Sequence, residues 1–224
     1  MVDRKAKGQL LERPVIIPFP GEGSNSAAGG CLDGIFLRGS ESPSVLVGSP
    51  HPLLGGSMQN PVVNEIAYAA SRCGRASLRF DYEGVGASEG ESSGDPEKAA
   101  RDMKAALDHL LESSESKTAA IAGYSFGCLP ALLVAARDPR VDRLLLVAPP
   151  RKMLSLPDYG TVTVPVTVVL GAADTLVDQE REKELAQAQA PRVKLEVLKD
   201  ADHSFRSGLV AIARLTERVL GHRS

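Results

Sequence analysis

The residues with the clearest chemical potential are Ser125 and its neighbours, in the segment Gly123-Tyr124-Ser125-Phe126-Gly127. Gly-x-Ser-x-Gly arises by chance in many chains, so its meaning depends on its surroundings. Here the apolar stretch 119–122 enters the motif and the apolar stretch 131–136 leaves it, the strand-turn-helix context that forces a serine into a strained, exposed turn. Side chains in place of Gly123 and Gly127 would collide where strand and helix approach so closely. A serine hydroxyl is a poor nucleophile at neutral pH and needs a histidine base, usually oriented by a carboxylate. Of the four histidines, His203 follows the last expected strand, in Asp200-Ala201-Asp202-His203-Ser204-Phe205, and is the candidate base. His51 is its nearest rival but better suits holding a loop by hydrogen bonding. His109 lies off the apolar stripe of its helix and His222 in the terminal tail, so both are expected to be solvated. The carboxylate should fall between serine and histidine in chain order, at the carboxyl end of a strand. Asp174, in Gly171-Ala172-Ala173-Asp174 directly after the apolar run 164–170, meets both conditions. Asp178 reads as a helix start, and Asp200 and Asp202 flank the histidine too closely to orient its far nitrogen. The intervals, 49 residues from Ser125 to Asp174 and 29 from Asp174 to His203, leave room for strand-helix-strand units. Such a set supports acyl transfer through a covalent serine intermediate.

The elements that must position these residues follow from periodicity. Apolar runs at 14–19 and 31–37 predict an opening antiparallel hairpin, joined by the Gly/Ser-rich stretch 21–26. That stretch does not read as a phosphate cradle, because no helix or Lys-Ser/Thr follows it. Short apolar runs then alternate with helical patterns. Strands are expected at 44–48, 76–80, 119–122, 144–147, 164–170 and 193–198. Asn60 before Pro61 caps a helix whose Val63, Ile66, Ala67 and Ala70 share one face, and Asp95 before Pro96 caps another with Met103, Ala106, Leu107, Leu110 and Leu111. Charged and closing helices follow at about 180–190 and 209–220. Strands apolar on consecutive positions and separated by helices predict a mostly parallel sheet covered on both faces, an α/β fold. The segment from Gly84 to Gly90 misses dinucleotide-binding spacing and reads as a loop.

Composition narrows the partners. The 224 residues, 43% of them hydrophobic, suit one compact domain over 1–224. A formal charge of -2 leaves no basic footprint for nucleic acid or an anionic membrane. Aromatic content of 4% with no Trp argues against base-stacking platforms. Residues 1–7 lack the apolar core of a signal peptide, and no stretch reaches membrane-spanning length, so a cytoplasmic location is expected. Cys31, Cys73 and Cys128 suit neither a disulfide framework nor a zinc site, and Cys128 reads as core packing. A small molecule is the expected partner.

The serine motif with Asp174 and His203 in that order resembles the α/β-hydrolase superfamily, specifically its small lidless bacterial members akin to dienelactone hydrolases and short-chain esterases. The resemblance spans roughly residues 30–220. It implies that His51-Pro52-Leu53-Leu54-Gly55-Gly56-Ser57-Met58 is the loop that lends one backbone N–H to an oxyanion hole, from Leu53, while Phe126 lends the other. Asp81-Tyr82-Glu83-Gly84-Val85-Gly86-Ala87-Ser88 resembles the family's turn after the fourth strand, where Arg usually stands at the place of Glu83. Pro130, early in the helix after the serine, removes a backbone donor and is expected to bend its first turns. Only 16 residues, 148–163, separate two expected strands where many hydrolases of this fold insert a lid, which implies an open site. The resemblance thus implies a serine hydrolase for small or short-acyl esters, with Ser125, Asp174 and His203 catalytic and no metal or organic cofactor required. Thioester cleavage or acyl transfer on the same triad leaves the motifs unchanged, and a catalytically silent binding module is the rival from another class. A cysteine-nucleophile lactone hydrolase is disfavoured, since serine, not cysteine, stands at the centre of the strand-to-helix motif.

Overall fold

A computed structural model describes residues 12–20 and 29–221. The expected features at residues 1–7, at 21–26 and at His222 lie outside them.

Eight strands form one sheet: β1 (Glu12–Phe19), β2 (Gly30–Leu37), β3 (Glu41–Gly48), β4 (Arg75–Phe80), β5 (Ala119–Tyr124), β6 (Val141–Val147), β7 (Val166–Gly171) and β8 (Val193–Leu198). Their spatial order is β1-β2-β4-β3-β5-β6-β7-β8. The expected hairpin β1–β2 is antiparallel, β2 also pairs antiparallel with β4, and every pairing from β4 to β8 is parallel. Every residue of β4 and β5 is buried, which is why those strands read as continuous apolar runs rather than alternations.

Five helices accompany the described strands: α1 (Pro61–Arg72), α2 (Pro96–Ser114), α3 (Cys128–Arg137), α4 (Gln179–Ala188) and α5 (Leu209–Gly221). Helices α1 and α5 pack together, as do α2 and α3, and the two pairs lie on opposite faces. Ser77 Oγ donates to the Ala67 carbonyl of α1 at 3.1 Å, and Ser77 pairs with Val45. Gly48, of opposite parity, faces Met103 of α2, whose Cε would stand 2.5 Å from a Cβ there. The expected caps are made: Asn60 Oδ1 accepts from Val62 N at 2.9 Å, and Asp95 Oδ1 accepts from Glu97 N at 2.7 Å.

The structure moves several boundaries for local reasons. Helix α4 stops at Ala188, short of the expected Ala190, because Pro191 disfavours helical backbone in the residue before it. Helix α3 starts at Cys128, earlier than the apolar run suggested, and continues unbroken to Arg137. Pro130 therefore sits in its first turn, where a missing N–H is tolerated and the expected disruption does not arise. His109 departs from expectation more sharply. It is half-buried, with Nε2 sequestered and unbonded, on a flank of α2 where it lines a cavity together with Pro18 of β1 and Val134 of α3.

The β6–β7 connection, residues 148–165, contains one short helical turn, Tyr159–Thr161. Arg151 fastens it by donating to Glu182 Oε1 of α4 at 2.6 Å and to the Leu156 carbonyl at 2.7 Å. No helix among the described residues is long and apolar enough to cross a membrane.

Candidate active site

Strand β5 delivers its chain directly into a helical turn, Ser125–Gly127, that leads into α3. Ser125 has φ of 53°, a conformation costly for a side-chain-bearing residue. Such a turn needs close backbone approach on both sides. A Cβ on Gly123 would fall 2.4 Å from the Gly127 carbonyl oxygen, and one on Gly127 2.6 Å from that of Gly48. The two glycines thus let β5, β3 and α3 converge beneath the serine.

Two further strand ends bring up the partners. After β7, the Asp174 N–H donates to the Gly171 carbonyl at 3.1 Å, forming a tight turn. The Asp174 side chain is wholly buried, with Oδ1 accepting from Leu176 N at 2.8 Å and Oδ2 lying 2.7 Å from His203 Nδ1. After β8, the loop bearing His203 is stitched to the Asp174 turn: Ala172 N donates to Leu198 O at 2.9 Å, and Ala173 N to Ala201 O at 3.0 Å. Gly171 permits this, since a Cβ there would lie 2.4 Å from the Ala201 oxygen. The remaining nitrogen, His203 Nε2, stands 2.9 Å from Ser125 Oγ. Because a carboxylate only accepts, the Asp174 contact places the ring proton on Nδ1 and leaves the Nε2 lone pair facing the serine hydroxyl. Ser125, His203 and Asp174 therefore form one hydrogen-bonded row at the carboxyl ends of three strands.

Tyr124 is a part of this arrangement that the sequence did not single out. Its hydroxyl donates to the His203 carbonyl at 2.8 Å. Burial first, and then the Asp174 charge, push its phenol up to about 12, so it stays a neutral donor. The only local signal is its place inside the serine motif; its partner lies 79 residues on.

The other candidates are spent elsewhere. Asp178 Oδ1 caps α4 through Arg181 N at 3.2 Å, and Asp202 Oδ1 accepts from Ser204 N and Oγ. The buried Cys128 thiol donates to the Gly123 carbonyl at 3.2 Å, and burial pushes its ionisation far up, which leaves it inert packing. Phe126 is the second residue of the turn that Ser125 opens, among the first N–H groups of a helix, which have no partner within it. The His51 ring packs against that of Phe126, tilted by 54° with ring centroids 4.7 Å apart. Its Nδ1 accepts from the Leu53 N–H at 3.2 Å, so in this conformation the Leu53 donor is engaged within its own turn. Burial lowers the His51 ionisation and favours the neutral ring that accepts this bond. Asp81 Oδ1, at the end of β4, holds the far end of the same loop by accepting from Met58 N at 2.6 Å. Among the described residues, no group of three or more His, Cys, Asp or Glu side chains is placed to hold a metal ion.

Comparison with known proteins bears on the fold and the family. An α/β serine hydrolase homologue from Coxiella burnetii superposes with a TM-score of 0.75 at 29% identity, covering 91% of this chain and 96% of that one. A serine hydrolase without a lid from Xanthomonas campestris gives 0.76 at 25% identity, over 95% and 97% of the two chains. An esterase from Pyrococcus furiosus shares the fold, with a TM-score of 0.72 at 20% identity over 93% and 92%. An uncharacterized protein of Rickettsia prowazekii is 28% identical over 188 residues, 79% of each chain. Residues 85–212 match the model of the dienelactone hydrolase family. With the sheet order and strand-end placement described above, that match makes the chain an α/β-fold hydrolase belonging to the dienelactone hydrolase family.

Proposed function

We propose that this hydrolase cleaves small or short-acyl carboxylic esters through an acyl-enzyme on Ser125. The observation that carries the reading is the pair of contacts from Ser125 Oγ to His203 Nε2, 2.9 Å, and from His203 Nδ1 to Asp174 Oδ2, 2.7 Å. Ser125 Oγ attacks the ester carbonyl while His203 Nε2 takes its proton, and Asp174 steadies the resulting imidazolium. The tetrahedral intermediate collapses as His203 returns the proton to the departing alcohol. Water activated by the same histidine then attacks the acyl-enzyme, releases the acid and restores Ser125.

The oxyanion of both tetrahedral intermediates is assigned to the Phe126 and Leu53 N–H groups. The Leu53 N–H must turn from His51 Nδ1 or share itself. A 3.2 Å bond to a neutral ring yields readily to an oxyanion, since charge-assisted bonds are about twice as strong. Strands β3 and β6 flank β5, and the loops that follow them carry Leu53 and Met153, 58% and 55% exposed. Exposed apolar side chains on these two loops, with a β6–β7 connection too short to hold a lid domain, favour short acyl groups over a buried lipid chain.

The test is hydrolysis of p-nitrophenyl esters graded by acyl length, alongside acyl-CoA thioesters. Wild type is expected to prefer the short oxygen esters. Ser125→Ala is expected to lose on the order of 10⁴- to 10⁶-fold in turnover. A variant that still hydrolyses them at the wild-type rate would remove Ser125 from the reaction, and preference for the thioesters would reassign the substrate.

A further inference from the structure

Beneath the β6–β7 connection lies a buried ionic cluster that the proposed reaction does not use. Glu182, in the first turn of α4, is fully buried, and the Arg151 side chain that donates to its Oε1 at 2.6 Å is 7% exposed. The hydroxyl of the buried Tyr159 donates to Glu182 Oε2. The Arg151 guanidinium lies over the Tyr159 ring, 5.2 Å from its centroid, and forks onto the Leu156 and Pro157 carbonyls at 2.7 and 3.0 Å. Burial pushes the Glu182 carboxyl up while Arg151 draws it down. Hiding such a pair from water is so unfavourable that apolar side chains of similar volume often hold a core at least as well. The cluster therefore matters for the geometry it fixes rather than for stability.

That geometry is the course of residues 174–182, which begin at Asp174 and end at Glu182. Arg151 holds the far end. Near the other end, the Lys152 N–H donates to the Leu176 carbonyl at 3.3 Å and Lys152 Nζ to the Thr175 carbonyl at 3.3 Å. Leu176 in turn donates its N–H to Asp174 Oδ1 at 2.8 Å, the oxygen that His203 leaves free. Between the two ends Val177 is buried and Asp178 caps α4, which leaves the segment little slack. The chain reaches Arg151 from β6 through Ala148, whose φ of 52° is strained for a residue with a side chain. Such strain persists only where surrounding contacts hold it, and those of Arg151 and Lys152 come next along the chain.

We propose that Arg151, clamped by Glu182 and Tyr159, is a positioning residue for Asp174. It holds the β6–β7 connection against residues 174–182 and so keeps the Asp174 carboxylate in line with His203 Nδ1. Arg151 touches no reacting atom; it acts through Lys152, Leu176 and Asp174. Its effect on turnover rests on the serine hydrolase reading above, whereas its effect on the bond between Asp174 and His203 does not.

The experiment replaces the cluster by apolar side chains, Arg151→Met with Glu182→Leu and Tyr159→Phe, so that no charge is left buried without a partner. It follows hydrolysis of a short p-nitrophenyl ester and the downfield proton resonance of the His203 Nδ1–H bonded to Asp174. Turnover is expected to fall on the order of 10²-fold, the loss that an ångström-scale misplacement brings. KM is expected to stay within a few fold of wild type, and the resonance to shift or vanish. On an Asp174→Asn background the same three changes are expected to bring no further loss, because the carboxylate they position is already gone. Arg151→Lys keeps a cation opposite Glu182 but gives up the fork onto the two carbonyls. With a loss of about tenfold, it carries the same measurements should the triple variant fail to fold. Wild-type turnover in the folded variant, an equal further loss on the Asp174→Asn background, or an unmoved resonance would each overturn the proposal. Absence of ester hydrolysis in wild type, with the resonance present and moved by the substitutions, would instead count against the serine hydrolase reading alone.

Discussion

At the scale of single residues, the choice of Asp174 over its acidic neighbours makes a sharp comparison. Asp174 is buried against His203 Nδ1, whereas Asp178 spends its carboxylate on the first turn of α4. Asp174→Asn presents an amide to Nδ1 and favours the wrong imidazole tautomer, so turnover is expected to fall on the order of 10⁴-fold. Asp178→Asn keeps a capping side chain and is expected to stay within a few fold of wild type. Steady-state ester hydrolysis by the two variants checks both, and equal losses would place the acid elsewhere. These residues were legible because each stands just past an apolar strand run, a place that chain order alone can identify. Tyr124 was not, because its bond to the His203 carbonyl depends on a loop far along the chain. Nor was the anchoring of Glu83, whose N–H donates to Asp102 Oδ2 across a helix-to-loop contact rather than within its own motif.

At the scale of elements, the site is a junction of three strand ends whose loops touch. Gly171 is where the β7 and β8 ends close on each other, with 2.4 Å separating a hypothetical Cβ from Ala201 O. Gly171→Ala must therefore shift backbone rather than a side chain tip, which drives the Asp174 turn away from the His203 loop. It is expected to cut turnover by about 10²-fold or more, the order that an ångström-scale misplacement costs, and to lower the melting temperature. Wild-type kinetics in this variant would contradict the account of how the two loops are held. The cores of the strands and the helix caps at Asn60 and Asp95 were legible, since apolar runs and capping residues act locally. Element ends were less so. Helix α4 stops where Pro191 intervenes and β7 begins after Pro165, while β3 extends back to Glu41 beyond any apolar signal because β4 is there to pair with it.

At the scale of the whole molecule, sheet order and burial determine what the sequence could only outline. The alternation of elements implied a parallel sheet covered on both faces, but not that β3 would lie between β4 and β5. Nor did it imply that His109, off its helix's apolar stripe, would be half-buried near Pro18 and Val134. Long-range burial also couples stability to pH. Asp102 ionises near 3.8 in a free chain and near about 7 when folded, so the folded state holds its proton more tightly. That contribution is full below the lower value, declines as pH rises through the upper one, and is constant beyond it. Asp102→Asn has no such proton to lose, so its melting temperature relative to wild type is expected to increase as pH is raised from about 4 to 8. Calorimetry on the two proteins reads this directly, and a pH-independent difference would contradict the placement of the proton. The central claim of the account is the covalent role of Ser125. Its most direct test is reaction with a fluorophosphonate followed by peptide mass mapping: the account predicts one adduct per chain on the peptide bearing Ser125, absent from Ser125→Ala, and an adduct on any other residue, or full labelling of that variant, would contradict it.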